Sequence, residues 1–339
     1  MKVLSVTDIF NCEVFLPKIL LSNGVAFECG LDETILDAAR KHNIAIEHSC
    51  ASGRCGICIA PVLSGKTVAI KPEESLNIET QERGNVLTCC RVPVTDVSLD
   101  IEDLGEIGNI PVRTVPCRIS SLKLLNNDVL QVLLRVPPNS KFKFIAGQYI
   151  NLIDKGIRRS YSLANAEQLD GTLEIQVKRV NEGLMSEYLF TTARQNDLLR
   201  IEGPLGTFSY RVDDSKNVIL MATGTGIAPI KAIIESLGKS LDEKRVYIVW
   251  GGRVLEDLYM DLGAANFKHT FVPVLSRDKI EGSYFGYVQN AVLDLGLDLK
   301  ETTVYACGSE LMIKDACDVL VQNGLRRKRF YSDAFVSSN

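Results

Sequence analysis

Residues 50–58 read Cys-Ala-Ser-Gly-Arg-Cys-Gly-Ile-Cys, and a Cys89-Cys90 pair follows farther along the chain. The spacing C-x4-C-x2-C with a distant fourth cysteine is typical of plant-type [2Fe–2S] sites. Gly53 and Gly56 allow such a loop to wrap tightly around a small cluster. A zinc site is the alternative, but zinc ligands usually form two C-x2-C pairs or pair with histidines, and only His48 is near. The loop therefore predicts an iron–sulfur centre.

Three ligands follow directly from the loop, and the fourth is open between Cys89 and Cys90. The chain has ten cysteines, and we expect those outside this region to be small buried hydrophobic residues. The predicted buried set is Cys12, Cys29, Cys117 and Cys317. The loop ligands are Cys50, Cys55 and Cys58, and Cys89 and Cys90 are the two candidates for the last place.

The 339-residue chain has the composition of a globular protein, with 46% hydrophobic and 24% charged residues. Its formal net charge of −4 argues against a nucleic-acid-binding protein, which usually carries a basic domain. No stretch approaches the roughly 18 consecutive apolar residues that span a bilayer, and the N-terminus does not resemble a signal peptide. We therefore expect a soluble, cytoplasmic protein that binds neither nucleic acid nor membrane.

The spacing of apolar residues divides the chain into three domains and a linker. Residues 14–105 hold the cysteine loop, a predicted hairpin and a short helix. Residues 106–111 form the linker. Residues 112–212 contain short alternating strands and one helix, which predicts a small antiparallel β-barrel. In residues 213–339, apolar strands alternate with helix-length stretches, which predicts a doubly wound parallel α/β domain.

One strand of the predicted barrel has a clean period of two. Leu173, Ile175 and Val177 alternate with polar residues over 173–178. Such alternation predicts a strand with one apolar face against the core.

The barrel segment also contains Arg159-Ser160-Tyr161-Ser162, a combination suited to a flavin. Arg159 offers a forked cation for a pyrophosphate, Tyr161 a ring that can stack on an isoalloxazine, and Ser162 a hydroxyl for the flavin N5 edge. Farther on, Gly183-Leu184-Met185-Ser186 lies at the start of a helix, where backbone amides and the Ser186 hydroxyl can bind an anion. Glu202–Phe208 is glycine-rich, and is open between a barrel-closing loop and a contact with a pyridine nucleotide.

The third segment carries a nucleotide-type turn. A strand at Val218–Ala222 leads into Thr223-Gly224-Thr225-Gly226-Ile227-Ala228-Pro229 and then a helix. The two glycines permit close approach of a pyrophosphate to the helix N-terminus. The next strand ends at Trp250–Arg253 without the acidic residue that binds a ribose diol in ordinary dehydrogenases. We therefore predict a pyridine-nucleotide site that differs from the usual dehydrogenase type.

Two further turns are expected at the carboxyl edge of the same sheet, where ligands bind. Cys307-Gly308 could touch the nicotinamide, although a buried cysteine closing a turn is the other interpretation. Ser276-Arg277 could meet the adenosine ribose or a 2′-phosphate, or could simply be solvated.

These motifs, in this order, resemble the ferredoxin–NAD(P)H reductase superfamily with an N-terminal plant-type ferredoxin domain. The resemblance covers nearly the whole chain from about residue 14. The stretches RRSYSLANA (158–166), LRIEGPLGTF (199–208) and FYSDAFV (330–336) are most similar to reductases of 3,6-dideoxyhexose biosynthesis. The resemblance implies a β-grasp ferredoxin domain, an FAD-binding barrel and an NAD(P)-binding α/β domain. Thr223 departs from the family, which usually has Gly there.

The same resemblance implies an order of electron transfer. NAD(P)H reduces FAD, FAD passes single electrons to the cluster, and the cluster reduces a partner enzyme. In deoxysugar synthesis that partner is a pyridoxamine-phosphate iron–sulfur dehydrase acting on a CDP-sugar. Reductases of aromatic and alkane oxygenases share all the cofactor motifs and provide the alternative, with an oxygenase component as the electron acceptor.

Finer features also follow from the resemblance. Leu87, two residues before Cys89, marks Cys89 as the fourth ligand. Phe335 is the aromatic residue expected to shield the flavin. NADH is the expected donor, and Ser276-Arg277 keep NADPH open.

A different class of protein, a redox sensor holding flavin and cluster without turnover, is disfavoured by the intact motifs. The ferredoxin region also carries an acidic group, open between a docking surface for a basic partner and an ordinary solvated face. That group consists of Asp96, Asp100, Glu102, Asp103 and Glu106.

Overall fold

The computed structural model describes residues 16–335, apart from 238–240, 242 and 263–266. The chain divides into two compact units. Among the described residues, the first comprises those up to Ile46 together with Ala51–Gly105, and the second comprises Glu47–Cys50 and those from Glu106 onward. The prediction for Cys12 falls outside the described residues, whereas Cys29, Cys117 and Cys317 are buried as expected.

The first unit is a five-stranded sheet with one helix packed on it. Helix α1 begins after Thr34, whose hydroxyl accepts a hydrogen bond from the Asp37 amide, and its apolar side faces the core. The predicted hairpin and helix are thereby confirmed. The sheet order is β2-β1-β7-β3-β5, and β4 pairs with β6 in a separate ribbon. The elements are β1 (Lys18–Leu21), β2 (Ala26–Glu28), α1 (Ile35–Lys41), β3 (Ile59–Ser64), β4 (Thr67–Ala69), α2 (Ile78–Glu82), β5 (Asn85–Leu87), β6 (Arg91–Pro93) and β7 (Val97–Leu99).

The second unit begins with an antiparallel barrel, as the alternating strands predicted. Its strand order is β11-β10-β13-β8-β9-β12, and a bridge between Leu163 and Ile175 joins the two ends. The alternating apolar residues of its strands fill the interior. The elements are β8 (Arg113–Leu124), β9 (Val129–Arg135), β10 (Tyr149–Asp154), β11 (Ile157–Ser162), β12 (Thr172–Lys178), α3 (Leu184–Thr191) and β13 (Leu198–Leu205).

One sequence interpretation of the barrel was wrong in part. Glu202–Phe208 is not a turn throughout, because β13 continues through Leu205. Gly203 pairs with Arg113 of β8, and a Cβ on Gly203 would lie 2.9 Å from the Ile150 side chain. The glycine therefore serves close packing within the sheet, and the chain leaves the strand only at Gly206.

The rest of the second unit is a parallel six-stranded sheet with helices on it, as predicted. Its order is β17-β16-β15-β14-β18-β19, with every neighbouring pair parallel. The central strands are buried, in keeping with cover on both faces. The elements are β14 (Asn217–Thr223), α4 (Ile227–Leu237), β15 (Arg245–Gly252), β16 (His269–Leu275), β17 (Tyr284–Phe285), α5 (Val288–Asp294), β18 (Thr302–Ser309), α6 (Glu310–Gln322) and β19 (Phe330–Phe335).

The four residues that end at the first cysteine of the loop pack within the second unit. The Glu47 carboxylate lies 2.7 Å from the Arg211 guanidinium. The His48 amide donates to the Thr207 hydroxyl at 3.0 Å, and the Tyr149 hydroxyl donates to the Ser49 carbonyl at 2.9 Å. Main-chain and side-chain bonds thus fix the polypeptide directly before Cys50.

Asp213 ties together the strands that begin the parallel sheet. Its carboxylate accepts hydrogen bonds from the Ser215 amide and hydroxyl, from Thr303 at the start of β18, and from Lys244 just before β15. Burial alone would raise the pKa of Asp213, but these donors hold it at about 2. The ionised form is therefore the one that the fold stabilises.

Asp213→Asn should lower the free energy of unfolding by about 2 kcal/mol near neutral pH, since the Asp213 pKa drops from 3.8 to about 2 on folding. The folded pKa is depressed, so the stabilisation is present above the unfolded value and is lost as pH falls through the folded one. Denaturation followed by near-ultraviolet circular dichroism should show a constant deficit from about pH 8 to about pH 5, shrinking only below about pH 4. A deficit that changed between about pH 5 and pH 8 would contradict this account.

Candidate cofactor sites

The cysteine loop depends on two glycines with left-handed backbone. Gly53 has φ of +81° and Gly56 has φ of +75°. A Cβ on Gly53 would lie 2.2 Å from the Pro72 carbonyl oxygen and 2.8 Å from Cys90 Sγ. Glycine is therefore required at position 53 both by backbone conformation and by space.

The thiol positions distinguish the two candidates for the fourth ligand. Cys58 Sγ and Cys89 Sγ lie 3.1 Å apart and are buried. Cys90 Sγ lies 3.3 Å from the Pro72 carbonyl oxygen and 3.5 Å from Cys89 Sγ. Cys50 and Cys55 are half-buried in the loop. The sulfur of Cys89 is the one that pairs with Cys58, and Cys89 stays the predicted fourth ligand.

The pairing of the cysteines fits a two-iron cluster. Four cysteines on two irons supply a pair of thiolates to each iron, so close pairs are the expected arrangement. The hydrogen bond with Cys89, together with burial, raises the pKa of the Cys58 thiol. A cation between the two sulfurs would reverse that shift and deprotonate them.

The predicted flavin motif occupies β11, at the end of the barrel sheet. Arg159 is half-buried, and its guanidinium donates to the Arg158 carbonyl at 2.8 Å. The Ser160 hydroxyl donates to the Asn151 side chain at 2.7 Å. Tyr161 packs partly against the barrel core, and burial raises its pKa to about 12. Ser162, the last residue of the strand, is buried.

The second part of the flavin motif lies where predicted, at the N-terminus of α3. Gly183 is the residue before the helix, and Leu184 is exposed, whereas Met185 is buried in the barrel core. The Ser186 hydroxyl bonds to the Val180 and Gly183 carbonyls at 3.2 and 2.9 Å. That hydroxyl therefore holds the turn together, and the backbone amides are the groups left for an anion.

The nucleotide turn is pressed against the end of β18. A Cβ on Gly226 would lie 2.2 Å from the Cys307 carbonyl oxygen. Thr223 is accommodated by glycines on both sides: a Cβ on Gly251 would lie 3.1 Å from Thr223 Cγ2, and one on Gly308 would lie 2.3 Å from Thr223 Oγ1. The departure from the family pattern is thus matched by space on the two neighbouring strands. The remaining motif residues, Gly224, Thr225, Ile227 and Pro229, form the turn and the first part of α4.

Residues from the barrel and from the parallel sheet converge on one carboxyl group. Asp333 of β19 pairs with Cys307 of β18. Its carboxylate accepts hydrogen bonds from the Ser49 hydroxyl at 2.6 Å and from Ser162. Burial raises the pKa of Asp333 to about 6, and burial, reinforced by Asp333, raises the pKa of Cys307 well above its usual value. Cys307 is therefore a neutral thiol at this site.

Asp333 and Ser49 were missed by the sequence analysis. Asp333 lies in the FYSDAFV stretch that carried the resemblance, two residues before Phe335. Phe335 itself is 37% exposed at the end of β19. Ser49 directly precedes the first cysteine of the loop. The motif is defined by its cysteines and does not include Ser49.

The remaining predicted nucleotide residues lie on adjacent loops at the carboxyl edge of the sheet. The Ser276 amide donates to the Gly252 carbonyl at 3.1 Å, and the Arg277 amide donates to the Arg253 carbonyl at 2.9 Å. Both arginine side chains are exposed. The main chain is thus fixed here, while the two cations are accessible.

Comparisons with known proteins agree with this three-part organisation. Family models match a 2Fe-2S iron–sulfur cluster binding domain over residues 19–95, an oxidoreductase FAD-binding domain over 116–210 and an oxidoreductase NAD-binding domain over 220–318. A CDP-6-deoxy-L-threo-D-glycero-4-hexulose-3-dehydrase reductase from Yersinia pestis is 40% identical over 323 residues, covering 93% of this chain and 97% of the relative.

More distant relatives serve oxygenases. Reductase component 1 of terephthalate 1,2-dioxygenase from a Comamonas species is 26% identical and covers 93% of this chain and 95% of its own length. The crystal structure of Amycolatopsis cytochrome P450 reductase GcoB matches with a TM-score of 0.74 and 27% identity, covering 95% of this chain and 100% of that chain.

Fold and sites together define an iron–sulfur flavoprotein reductase of the ferredoxin–NAD(P)H reductase superfamily, which binds a [2Fe–2S] cluster, FAD and a nicotinamide nucleotide. More narrowly, the chain belongs to the family of the CDP-6-deoxy-L-threo-D-glycero-4-hexulose-3-dehydrase reductases. The predicted fold class, cofactors and resemblance are confirmed. Across the described residues, no helix combines the length and apolarity needed to cross a bilayer.

The fourth-ligand assignment can be tested with two matched serine variants. Cys89→Ser should remove the visible absorption of the cluster and its iron, yet leave NADH-driven reduction of ferricyanide by the flavin. Cys90→Ser should keep both properties, because its sulfur faces a carbonyl oxygen. Visible spectra, iron content and dye reduction measure these outcomes. Cluster loss in Cys90→Ser with retention in Cys89→Ser would reverse the assignment.

Proposed function

We propose that this chain carries electrons from NAD(P)H, by way of FAD and a [2Fe–2S] cluster, to the CDP-6-deoxy-hexulose 3-dehydrase of 3,6-dideoxysugar biosynthesis. The convergence of Ser162 from the flavin motif with Cys307 and Asp333 from the nucleotide sheet carries the proposal, since it brings flavin and nicotinamide chemistry to one place. When bound, FAD accepts a hydride and releases electrons singly, which suits a one-electron cluster.

The flavin is held by groups on the barrel in this proposal. The Arg159 guanidinium and the amides of Leu184, Met185 and Ser186, which follow Gly183 at the start of α3, bind its pyrophosphate. Ser160 and Tyr161 lie on the same strand, β11, as Arg159. Phe335, at the exposed end of β19, covers the flavin face.

The nicotinamide nucleotide is held by the turn from Thr223 to Pro229, with its pyrophosphate at the N-terminus of α4. Cys307 and Gly308 contact the nicotinamide, and Ser276 with Arg277 contact the adenosine end. The two exposed arginines beside that end are compatible with a 2′-phosphate, so both NADH and NADPH are candidate donors.

Ser162 and Asp333 form a hydrogen-bonded pair at the reacting edge. Burial raises the pKa of Asp333 to about 6, so this carboxyl is mostly ionised at neutral pH and gains a proton as the pH falls toward that value. Cys307, held neutral by burial, adds an uncharged surface beside them.

The cluster ligands in this proposal are Cys50, Cys55, Cys58 and Cys89. The electron acceptor is a pyridoxamine-phosphate iron–sulfur dehydrase, supported by the 40% identity to a reductase named for that role. An oxygenase component is the second candidate, supported by the Comamonas relative. A cytoplasmic location, expected from the sequence, stays a prediction.

An anaerobic titration with NADH and with NADPH tests the first half of the proposal. The better donor should remove the visible flavin absorption and produce the electron paramagnetic resonance signal of a reduced [2Fe–2S] cluster. The reduced protein is then mixed with purified dehydrase and its CDP-sugar, or with a terephthalate-type oxygenase and its substrate. We expect sugar deoxygenation, and we expect Cys89→Ser to abolish it while dye reduction continues.

Three results would count against the proposal. Support of hydroxylation without sugar deoxygenation would favour the oxygenase alternative. Flavin reduction without a cluster signal would break the proposed sequence of electron carriers. No reduction by either nucleotide would remove the reductase function and favour a redox sensor.

A further inference from the structure

The polar face of β12 is buried. The alternation along this strand sends Leu173, Ile175 and Val177 into the barrel core and places Glu174 and Gln176 on its outer side. Yet Glu174 is only 7% exposed and Gln176 only 5%. Buried polar groups of this kind need hydrogen-bonding partners, and the parallel α/β part of the same unit supplies them.

One set of partners comes from α4, the helix that follows the nucleotide turn. The Lys231 ammonium donates to the Glu174 carboxylate at 3.0 Å, to Glu235 at 2.6 Å and to the Ala164 carbonyl at 2.8 Å. The second Glu235 oxygen accepts from the Ala166 amide at 3.1 Å. Burial alone would lower the pKa of Lys231, but the hydrogen bond to Glu235 and the charge of Glu174 raise it. Lys231 is therefore a fixed cation between the two parts.

A second set of contacts runs from β12 to the nucleotide turn itself. Gln176 donates to Glu174 at 3.1 Å and accepts from the Tyr259 hydroxyl at 2.8 Å. The Tyr259 ring meets the Trp250 ring edge to face, with centroids 5.1 Å apart. The fully buried Trp250 donates from its indole nitrogen to the Gly224 carbonyl at 3.1 Å.

Both sets of contacts connect the region after the flavin motif with the nucleotide turn or the helix that follows it. Ala164 is the second residue after Ser162, and its amide donates to the Glu174 carbonyl at 2.8 Å. Gly224 is the first glycine of the nucleotide turn. The Gly224 carbonyl accepts this indole N–H as well as the Ile227 amide, so the bond from Trp250 adds a side-chain contact that holds the turn.

We propose that Gln176 and Tyr259 are positioning residues, which fix the nucleotide turn through Trp250 and so set the orientation of the nicotinamide over the flavin. This inference rests on the proposed function, because it assigns the turn to the nicotinamide nucleotide. Neither residue touches the reacting atoms. Their effect acts through the Gly224 carbonyl.

Tyr259→Phe removes one hydroxyl and keeps the ring against Trp250. A small misplacement of a reacting group can reduce a rate by up to about 100-fold, so we expect the flavin reduction rate at saturating NADH to fall about tenfold. The NADH concentration for half-maximal rate should change less than about twofold, because the amides that bind the pyrophosphate remain. Stopped-flow spectroscopy of the holoenzyme measures both quantities.

A second readout does not require turnover. The visible circular dichroism of the flavin with NAD+ bound depends on how the nicotinamide lies over the ring, and it should change in Tyr259→Phe. Tyr247→Phe is the matched control, since Tyr247 is a half-buried tyrosine of β15 outside these contacts, and it should behave as the parent. Gln176→Met should reproduce Tyr259→Phe, and the double variant should lose no more than either single one.

The outcomes separate this inference from the proposed function. An unchanged reduction rate and an unchanged dichroism in Tyr259→Phe would overturn the inference, as would a loss confined to thermal stability. Additive losses in the double variant would also overturn it. If the parent enzyme is not reduced by either nucleotide, the proposed function fails, and the dichroism of the NAD+ complex still decides the inference.

Discussion

The Asp333 carboxyl is the point at which three separate stretches of the second unit meet. It receives the hydroxyl of Ser49, just before the first cysteine of the loop, and that of Ser162 at the end of the flavin motif. Its own strand pairs with the strand that carries Cys307. A buried carboxyl is costly unless hydrogen-bonded, so these donors and the carboxyl require one another. The end of the flavin motif, the segment before Cys50 and the nucleotide sheet therefore share a contact with this one group.

The features that the sequence could predict are those whose cause is local. The glycines at positions 53 and 56 are needed by the backbone of the loop itself, and the turn from Thr223 to Pro229 combines a strand end with a helix start. The period of two in the barrel and the longer spacing of strands in the last domain likewise reflect neighbours in the chain. Such signals predicted the order of domains, which the family models match, and the candidate site residues, whose roles stay predictions.

The features that the sequence could not predict arise from contacts between distant segments. The alternation in β12 predicted one buried face and could not reveal that Glu174 and Gln176 on the other face are buried as well. Asp333 lacks a local pattern, because its role comes from Ser49 and Ser162. Ser186 illustrates the opposite case: its position suggested a ligand contact, but its hydroxyl is used by the turn.

A polar contact between barrel and nucleotide sheet is well suited to this chemistry. Apolar burial stabilises association without favouring one orientation strongly, because the hydrophobic effect is non-directional. Hydride transfer needs the reacting atoms about 3–3.5 Å apart and aligned. The Lys231 ammonium donates hydrogen bonds to two carboxylates, and the Trp250 indole donates one to the Gly224 carbonyl. Each of these hydrogen bonds has a defined direction. Each contact has one end on a strand, Glu174 of β12 or Trp250 of β15, and the other on α4 or the turn before it, so the orientation they specify reaches the nucleotide turn.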